Sequence, residues 1–168
     1  HILDENQKDL IKGKEEGITV ALSDRLKLNN ERVKSMANSL IKLIKQEDPV
    51  GKIEKEWIGE NGLQYKKIRF PFGVIGIIYE ARPNVTSDVG GLCLKSGNAS
   101  ILRGSSYSLN SNKAVLNSLR EGLSLAGLPP TSIQLIEDPS REMGLELMKL
   151  TKYVDLLIPR GGKGLIQS

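Results

Sequence analysis

The sequence contains few of the residues that mark several large classes of protein. Its 168 residues include one cysteine, one histidine and one tryptophan, and aromatic side chains make up only 4%. A single cysteine excludes an internal disulfide framework and fits a reducing compartment, so we expect a cytoplasmic protein. No group of histidines and cysteines has the spacing of metal ligands, and we expect no metal site. No apolar run approaches the roughly 18 residues of a membrane span, and no signal peptide precedes the first predicted helix, so we expect no membrane partner.

The charge of the chain is mildly positive, with a formal net charge of +4. Lysine and arginine are mixed with acidic residues along the whole chain, and no basic run is interleaved with aromatics. We therefore expect no nucleic-acid partner. A phosphate-bearing small molecule would also explain the positive excess, but a solvated basic surface is the favoured explanation.

Three segments differ in their patterning. Residues 1–51 predict a helical segment, in which Asn30 is the expected N-cap of an amphipathic helix that ends before the DPVG stretch at 48–51. Residues 52–70 predict an exposed β-hairpin around Asn61-Gly62, the dipeptide that most favours a tight hairpin turn. Residues 71–168 predict an α/β domain.

Strand and helix signals alternate in that third segment. A Rossmann-like parallel sheet with helices on both faces is the expected result, because strand–helix–strand units are right-handed and place strands in parallel. The predicted strands are 73–79, 99–103, 133–137 and 153–158. The predicted helices are 84–95, 109–126 and 140–150, with a further helix after Pro159-Arg160-Gly161-Gly162.

Basic residues follow three of the four strands, at Arg82, Arg103 and Arg160, with Lys163 close to the last. Because the carboxyl ends of parallel strands meet at one edge of a sheet, we expect these side chains to help form a phosphate pocket. Each arginine alone could be a solvated surface residue. Pro83 could position a ligand or simply start a helix. Gly161 and Gly162 could admit a ligand close to the backbone or only punctuate a loop.

Other candidate chemistry is sparse. No GxGxxG follows a strand and no GxxxxGK[ST] occurs, so the standard nucleotide fingerprints are absent. Cys93 falls among leucines in a predicted helix, which favours a buried core residue over a nucleophile. Trp57 lies in the hairpin, where packing is a simpler role than stacking on a cofactor. No catalytic residue is predicted in this chain.

Several stretches resemble the gamma-glutamyl phosphate reductase family, a branch of the aldehyde dehydrogenase superfamily also called glutamate-5-semialdehyde dehydrogenase. The matching stretches are ALSDRL at 21–26, DPVG at 48–51, GVIGIIYEARPNVT at 73–86, ILRG at 101–104 and DLLIPRGG at 155–162. The YEARPNVT and IPRGG stretches are quite specific to this branch.

The resemblance implies NADPH-dependent reduction of L-glutamyl 5-phosphate to L-glutamate 5-semialdehyde in proline biosynthesis, through attack by a cysteine thiolate on the acyl phosphate and then hydride transfer. By position, the resemblance implies a substrate or active-site edge and a cofactor site. The substrate edge is Glu80, Arg82, Pro83 and Asn84. The cofactor site is Ile78, Tyr79, Arg103, Gly104, Ser105, Asp138, Arg160, Gly161 and Gly162. Ser105-Ser106-Tyr107 stands where many relatives have glycine, lysine and an acidic residue.

The resemblance also implies partners and an incomplete active site. The hairpin matches an oligomerisation element, which predicts a homo-oligomer of the parent enzyme, and glutamate 5-kinase is a possible partner. The family's nucleophilic cysteine would lie beyond position 168, so residues 71–168 are expected to be a truncated NADP-binding domain that is inactive alone. The alternative function is a standalone nucleotide-binding or interaction module without catalysis.

Overall fold

The N-terminal segment forms three helices. A computed structural model describes residues 1–162, and in it the helices are α1 (Ile2–Glu15), α2 (Val20–Leu26) and α3 (Asn30–Ile44). The side chains of Thr19 and Asn29 cap α2 and α3 by accepting backbone N–H bonds of 3.2 and 2.8 Å. Each cap requires a non-helical residue, so the predicted helical segment divides into three separate helices. The expected cap at Asn30 is wrong by one residue, because the Asn29 side chain makes the bond.

Residues after α3 form the predicted hairpin, with strands β1 (Ile53–Ile58) and β2 (Gln64–Ile68). The strands pair antiparallel around the Asn61-Gly62 turn, where Gly62 adopts a positive φ of 79° that only glycine tolerates easily. Every residue of both strands is exposed. Trp57 stacks on Tyr65 with ring centroids 5.3 Å apart, so Trp57 packs within the hairpin as predicted.

The remaining described residues alternate between strands and helices. They form β3 (Val74–Tyr79), α4 (Asn84–Lys95), β4 (Ala99–Arg103), α5 (Leu109–Leu125), β5 (Ile133–Leu135), α6 (Arg141–Lys149) and β6 (Leu156–Arg160). The predicted bounds of β4 and α4 match. The last strand is the main error, because the N–H groups of Tyr153 and Val154 bond the Leu150 carbonyl in a turn and β6 begins only at Leu156. The predicted final helix and Lys163 lie outside the described residues.

The four strands form one parallel sheet in the order β5-β4-β3-β6. Successive side chains of β3 point to opposite faces of the sheet. Ile75, Ile77 and Tyr79 pack into the main core with α4 and α5. On the opposite face, Gly76 lies against Leu147 of α6. The sheet therefore carries helices on both faces, and the predicted α/β fold class is confirmed.

The chain reverses its direction of travel across the sheet after β5. β4 and then β5 lie on one side of β3, and β6 lies on the other side of β3. This is the order of half a dinucleotide-binding sheet, and ligands in such sheets bind outside the carboxyl ends of the strands where the order reverses. That point lies between β3 and β6.

Buried polar contacts hold the N-terminal helices against α5. Asp9 of α1 is fully buried and accepts hydrogen bonds from the backbone N–H groups and side chains of Asn110 and Ser111, at the start of α5. Asn6, also buried, bonds the Leu26 carbonyl and the Leu28 N–H at 2.9 and 2.8 Å. These contacts bring α2 to the carboxyl edge of the sheet.

Candidate functional site

A cleft of about 450 Å³ opens at the carboxyl ends of β3 and β4, and we name it the strand-end cleft. Helix α2 forms its other wall, which the contacts of Asn6 hold in place. Its lining residues are Thr19, Ala21, Leu22, Arg25, Tyr79, Glu80, Ala81, Arg103, Ser105, Ser106, Tyr107 and Pro139. Four of the predicted site residues therefore share this cleft: Tyr79, Glu80, Arg103 and Ser105.

Arg103 is the last residue of β4 and the central cation of the strand-end cleft. Its Nη2 donates to the carbonyls of Pro139 and Ser140 at 2.6 and 3.0 Å, which ties the β5–α6 loop to the strand end. Its Nε is buried and has no hydrogen-bond partner among residues 1–162. Partial burial lowers the pKa of the guanidinium, an effect that the nearby Asp138 carboxylate opposes. Since an arginine stays protonated in proteins, the result is a fixed, partly desolvated positive charge with donor capacity left.

Asp138 lies in the β5–α6 loop and shapes that loop. Its Oδ1 accepts the Ser140 N–H at 2.8 Å, and Ser140 in turn caps α6 through the Met143 N–H at 3.3 Å. The bonds from Ser140 lower the pKa of the Asp138 carboxyl, with a smaller contribution from Arg103. Asp138 is exposed, and the structure gives it a direct role in the turn beside Arg103.

The turn after β4 is tightly packed beneath the cleft. A Cβ on Gly104 would lie 2.2 Å from Nδ2 of Asn112 and 3.2 Å from the hydroxyl of Tyr79, so only glycine fits. The Tyr79 hydroxyl is buried and bonds Thr86 at 2.8 Å, and burial raises its pKa. Ser105 accepts the Tyr107 N–H at 3.3 Å and so starts the short 3₁₀ turn Ser106–Ser108. Gly104 and Tyr79 thus shape the floor, while Ser105 lies at the cleft.

Glu80 links β3 to β6 at the point where the strand order reverses. Its Oε1 accepts the Gly162 N–H at 2.7 Å, across the sheet edge. Arg160 pairs with Tyr79 as the last residue of β6 and is exposed, and Gly161 follows it. Ile78 is buried between Arg103 of β4 and Pro159 of β6 in the ladder, so its side chain is a packing residue.

A second cleft of about 340 Å³ lies between α2, α3 and the turn before α4, and we name it the helix cleft. Its lining residues are Asp24, Arg25, Lys27, Leu28, Arg32, Ser35, Met36, Ser39, Arg82, Asn84 and Asp88. Two predicted substrate-edge residues, Arg82 and Asn84, therefore lie here. Pro83 is buried as the N-cap of α4.

The three strand-end arginines thus follow strands of the same sheet, but they do not line the same cleft. Arg103 lines the strand-end cleft, Arg82 lines the helix cleft, and Arg160 lines neither. Neither of these two clefts is lined by all three arginines, and the shared phosphate pocket remains a prediction. Arg82 follows β3 in a turn whose Arg82 N–H bonds the Glu80 carbonyl at 2.7 Å, and this turn leads toward α4. Arg103 instead turns toward the loop before α6.

Sequence reasoning missed the contribution of α2. Arg25 lines both clefts, and Thr19 lines the strand-end cleft while also capping its own helix. The ALSDRL stretch carried the family resemblance but gave no role, because only the tertiary contacts of α1 with α5 bring α2 to the sheet edge.

Cys93 is buried in α4, within the main core. Burial raises the pKa of its thiol to about 11, which leaves almost no thiolate at neutral pH. This agrees with the predicted core role. Within residues 1–162, no three His, Cys, Asp or Glu side chains are grouped as metal ligands. The helices in this part of the chain are all too short or too polar to cross a membrane.

Known proteins resemble this chain over its whole length. A gamma-glutamyl phosphate reductase of Clostridium botulinum (strain Alaska E43 / Type E3) is 54% identical over 168 residues, which are 100% of this chain and 41% of that protein. The crystal structure of the Thermotoga maritima enzyme of that name matches with a TM-score of 0.94 and 45% identity, over 99% of this chain and 40% of that one. The Saccharomyces cerevisiae enzyme matches with a TM-score of 0.86 and 33% identity, over 99% and 42%.

A more distant structure shares the fold alone. An engineered glycolyl-CoA reductase with eight mutations and bound NADP+ is 20% identical, with a TM-score of 0.61 over 98% of this chain and 43% of that one. No family model matches the chain. The chain spans about two fifths of the length of the curated relatives it matches. By sequence and fold together, this chain is similar over its whole length to gamma-glutamyl phosphate reductases and corresponds to about two fifths of their length.

Proposed function

We propose that this chain binds NADPH in the strand-end cleft, as part of an enzyme that reduces L-glutamyl 5-phosphate to L-glutamate 5-semialdehyde in proline biosynthesis. The observation that carries the proposal is the position of Arg103, at the carboxyl end of β4 beside the point where the strand order reverses. In sheets of this type that strand end is next to the adenosine ribose of a dinucleotide. The NADP+ bound by the engineered relative of the same fold supports a nicotinamide cofactor.

The residues at the end of β4 fit the phosphorylated cofactor. An acidic residue there bonds the ribose 2′-hydroxyl of NAD, whereas an arginine accommodates the 2′-phosphate of NADP. Here the strand ends in Arg103-Gly104-Ser105-Ser106, with no carboxylate. Arg103 lines this cleft, and its guanidinium can bind a phosphate group through charge-assisted hydrogen bonds. Arg103, Ser105 and Tyr107 would hold the ribose end.

The other predicted residues have supporting roles in this proposal. Asp138 orders the loop beside Arg103, and Glu80 holds Gly162 next to the end of β3. Arg160 and Gly161 would border the pyrophosphate, while Arg82, Pro83 and Asn84 would form the substrate edge. When bound, NADPH supplies the hydride for the reduction. The exposed hairpin is a candidate oligomer contact, glutamate 5-kinase is a candidate partner, and the enzyme is expected in the cytoplasm.

The nucleophile of the proposed reaction is not assigned to this chain. Cys93 is its one cysteine, and burial in the core with a pKa of about 11 makes it a poor nucleophile. We therefore expect the purified chain to bind cofactor without reducing L-glutamyl 5-phosphate.

Calorimetric titration of the chain with NADPH and NADH tests the cofactor assignment. We expect saturable binding that favours NADPH at least tenfold. Ser105→Asp adds a negative charge while keeping an oxygen that can accept the Tyr107 N–H, so it should weaken NADPH binding tenfold or more and spare NADH. Ser124→Asp, which adds the same charge at an exposed position of α5 outside the cleft, is the matched control and should change NADPH binding less than threefold. Equal affinity for both cofactors, or no binding by the folded chain, would contradict the proposal.

A further inference from the structure

The helix cleft contains positive charge that the protein itself does not neutralise. Two acidic residues line this cleft, Asp24 of α2 and Asp88 of α4. Asp24 forms an ion pair with Arg32, with 2.9 Å between Nη2 of Arg32 and Oδ1 of Asp24. Arg32 is also occupied by the backbone, since its Nη1 donates to the carbonyls of Asp24 and Lys27. The side chains of Arg25 and Arg82, by contrast, have neither a hydrogen-bond partner nor an ion-pair partner in the described part of the chain. Two guanidinium groups from different elements therefore line one cavity uncompensated.

The same cleft offers an acceptor for a cationic group. Asp88 lies one turn into α4, and its Oδ2 accepts the Asn84 Nδ2 at 3.0 Å. Its other oxygen has no partner among residues 1–162. A cavity with two free guanidinium groups and one free carboxylate oxygen matches a zwitterion, because arginine binds carboxylates in paired hydrogen bonds and a carboxylate binds ammonium. Its volume of about 340 Å³ lies within the range of small-molecule sites.

The location of the cleft connects it with the strand-end cleft. Arg25 lines both, and the turn from Glu80 to Asn84 separates them. A ligand in the helix cleft would therefore lie next to a dinucleotide bound at the strand ends. We propose that the helix cleft binds the α-amino and α-carboxylate groups of an amino-acid substrate, with Arg25 and Arg82 on the carboxylate and Asp88 on the ammonium. The identification of that amino acid as a glutamyl compound rests on the proposed function.

The test is an NMR titration of the isotopically labelled chain with L-glutamate, whose side-chain carboxylate takes the place of the acyl phosphate. We expect saturable shifts confined to α2, α3 and the start of α4. Two further probes each lack one group: 4-aminobutyrate has no α-carboxylate, and glutarate has no ammonium. We expect both to bind at least tenfold more weakly than L-glutamate. Arg82→Gln and Arg25→Gln should each weaken L-glutamate binding about tenfold, and Asp88→Asn should reduce the preference over glutarate.

The matched control is Lys34→Gln, which removes one positive charge from α3 at an exposed position outside the cleft. It should leave L-glutamate binding within twofold, and a larger loss would mean that only overall charge matters. Equal binding of L-glutamate and inorganic phosphate, or no saturable binding, would overturn the inference. NADPH titration of the same sample separates the two proposals: binding of NADPH without L-glutamate overturns this inference alone, and the reverse overturns the cofactor assignment alone.

Discussion

Asp9 offers the sharpest test of how the N-terminal helices are held to the sheet. Its two carboxylate oxygens accept four hydrogen bonds, from the backbone and side chain of Asn110 and of Ser111. Asp9→Asn keeps the shape of the side chain but replaces one oxygen by an NH₂ group. Whichever oxygen is replaced, the new NH₂ group faces a backbone N–H, of Asn110 or of Ser111, in a site without exposure to solvent.

The magnitude follows from the number and kind of bonds lost. A hydrogen bond to a charged group contributes about 1.5–3 kcal/mol, and Asp9→Asn removes at least the one from the backbone N–H. The variant also loses a negative charge beside the N-terminus of α5, where such a charge contributes up to about 2 kcal/mol in partly buried geometry. We expect the free energy of unfolding to fall by about 2–5 kcal/mol, a large part of the total for a domain of this size.

Urea titration followed by far-ultraviolet circular dichroism measures this change. The control is Asp4→Asn on the same helix, because Asp4 is exposed and contacts the terminal amino group at 3.1 Å. It should change stability by less than about 0.5 kcal/mol. A loss below about 1 kcal/mol for Asp9→Asn would refute the idea that this carboxylate clamps α1 to α5.

Two further outcomes depend on local packing. Gly104→Ala should lower the free energy of unfolding by about 1–3 kcal/mol, because the new Cβ would lie 2.2 Å from Asn112 Nδ2. Gly122→Ala, whose Cβ would have nothing within 4 Å, should instead stabilise helix α5 by up to about 1 kcal/mol. Thermal melts compare the two variants, and equal effects would contradict the packing argument. Cys93 in the folded chain should react with iodoacetamide at pH 8 about a hundredfold more slowly than in the unfolded chain, because burial raises its pKa from 9.0 to about 11 and so lowers the thiolate fraction. The reaction rate of the folded chain should increase as the pH approaches 11. A rate at pH 8 within tenfold of that of the unfolded chain would show that the thiol is accessible.

The fold was predictable where local signals agree with burial. The strand 74–79 is a continuous apolar run because it is buried on both faces, and β4 and α4 end at a charge and at a glycine-containing turn. β6 was misplaced because Tyr153 and Val154 look like strand residues. Only the hydrogen bonds of the turn to Leu150 show that the strand starts later.

The candidate site was predictable only as far as the sheet edge. Strand order and handedness bring Arg82, Arg103 and Arg160 to the same edge, but the direction of each side chain depends on the turn that follows its strand. Arg103 is drawn to the carbonyls before α6, and Arg82 moves with the start of α4.

The role of α2 illustrates a limit of reading strands and helices one at a time. Arg25 lies more than fifty residues before Arg82, and no periodicity connects them. They share a cleft because Asp9 holds α1 on the start of α5 and Asn6 holds the end of α2, through bonds between residues about twenty to a hundred positions apart. A buried polar residue on an otherwise amphipathic helix is therefore informative: Asn6 and Asp9 must find partners, and the partners they find determine which cleft α2 completes.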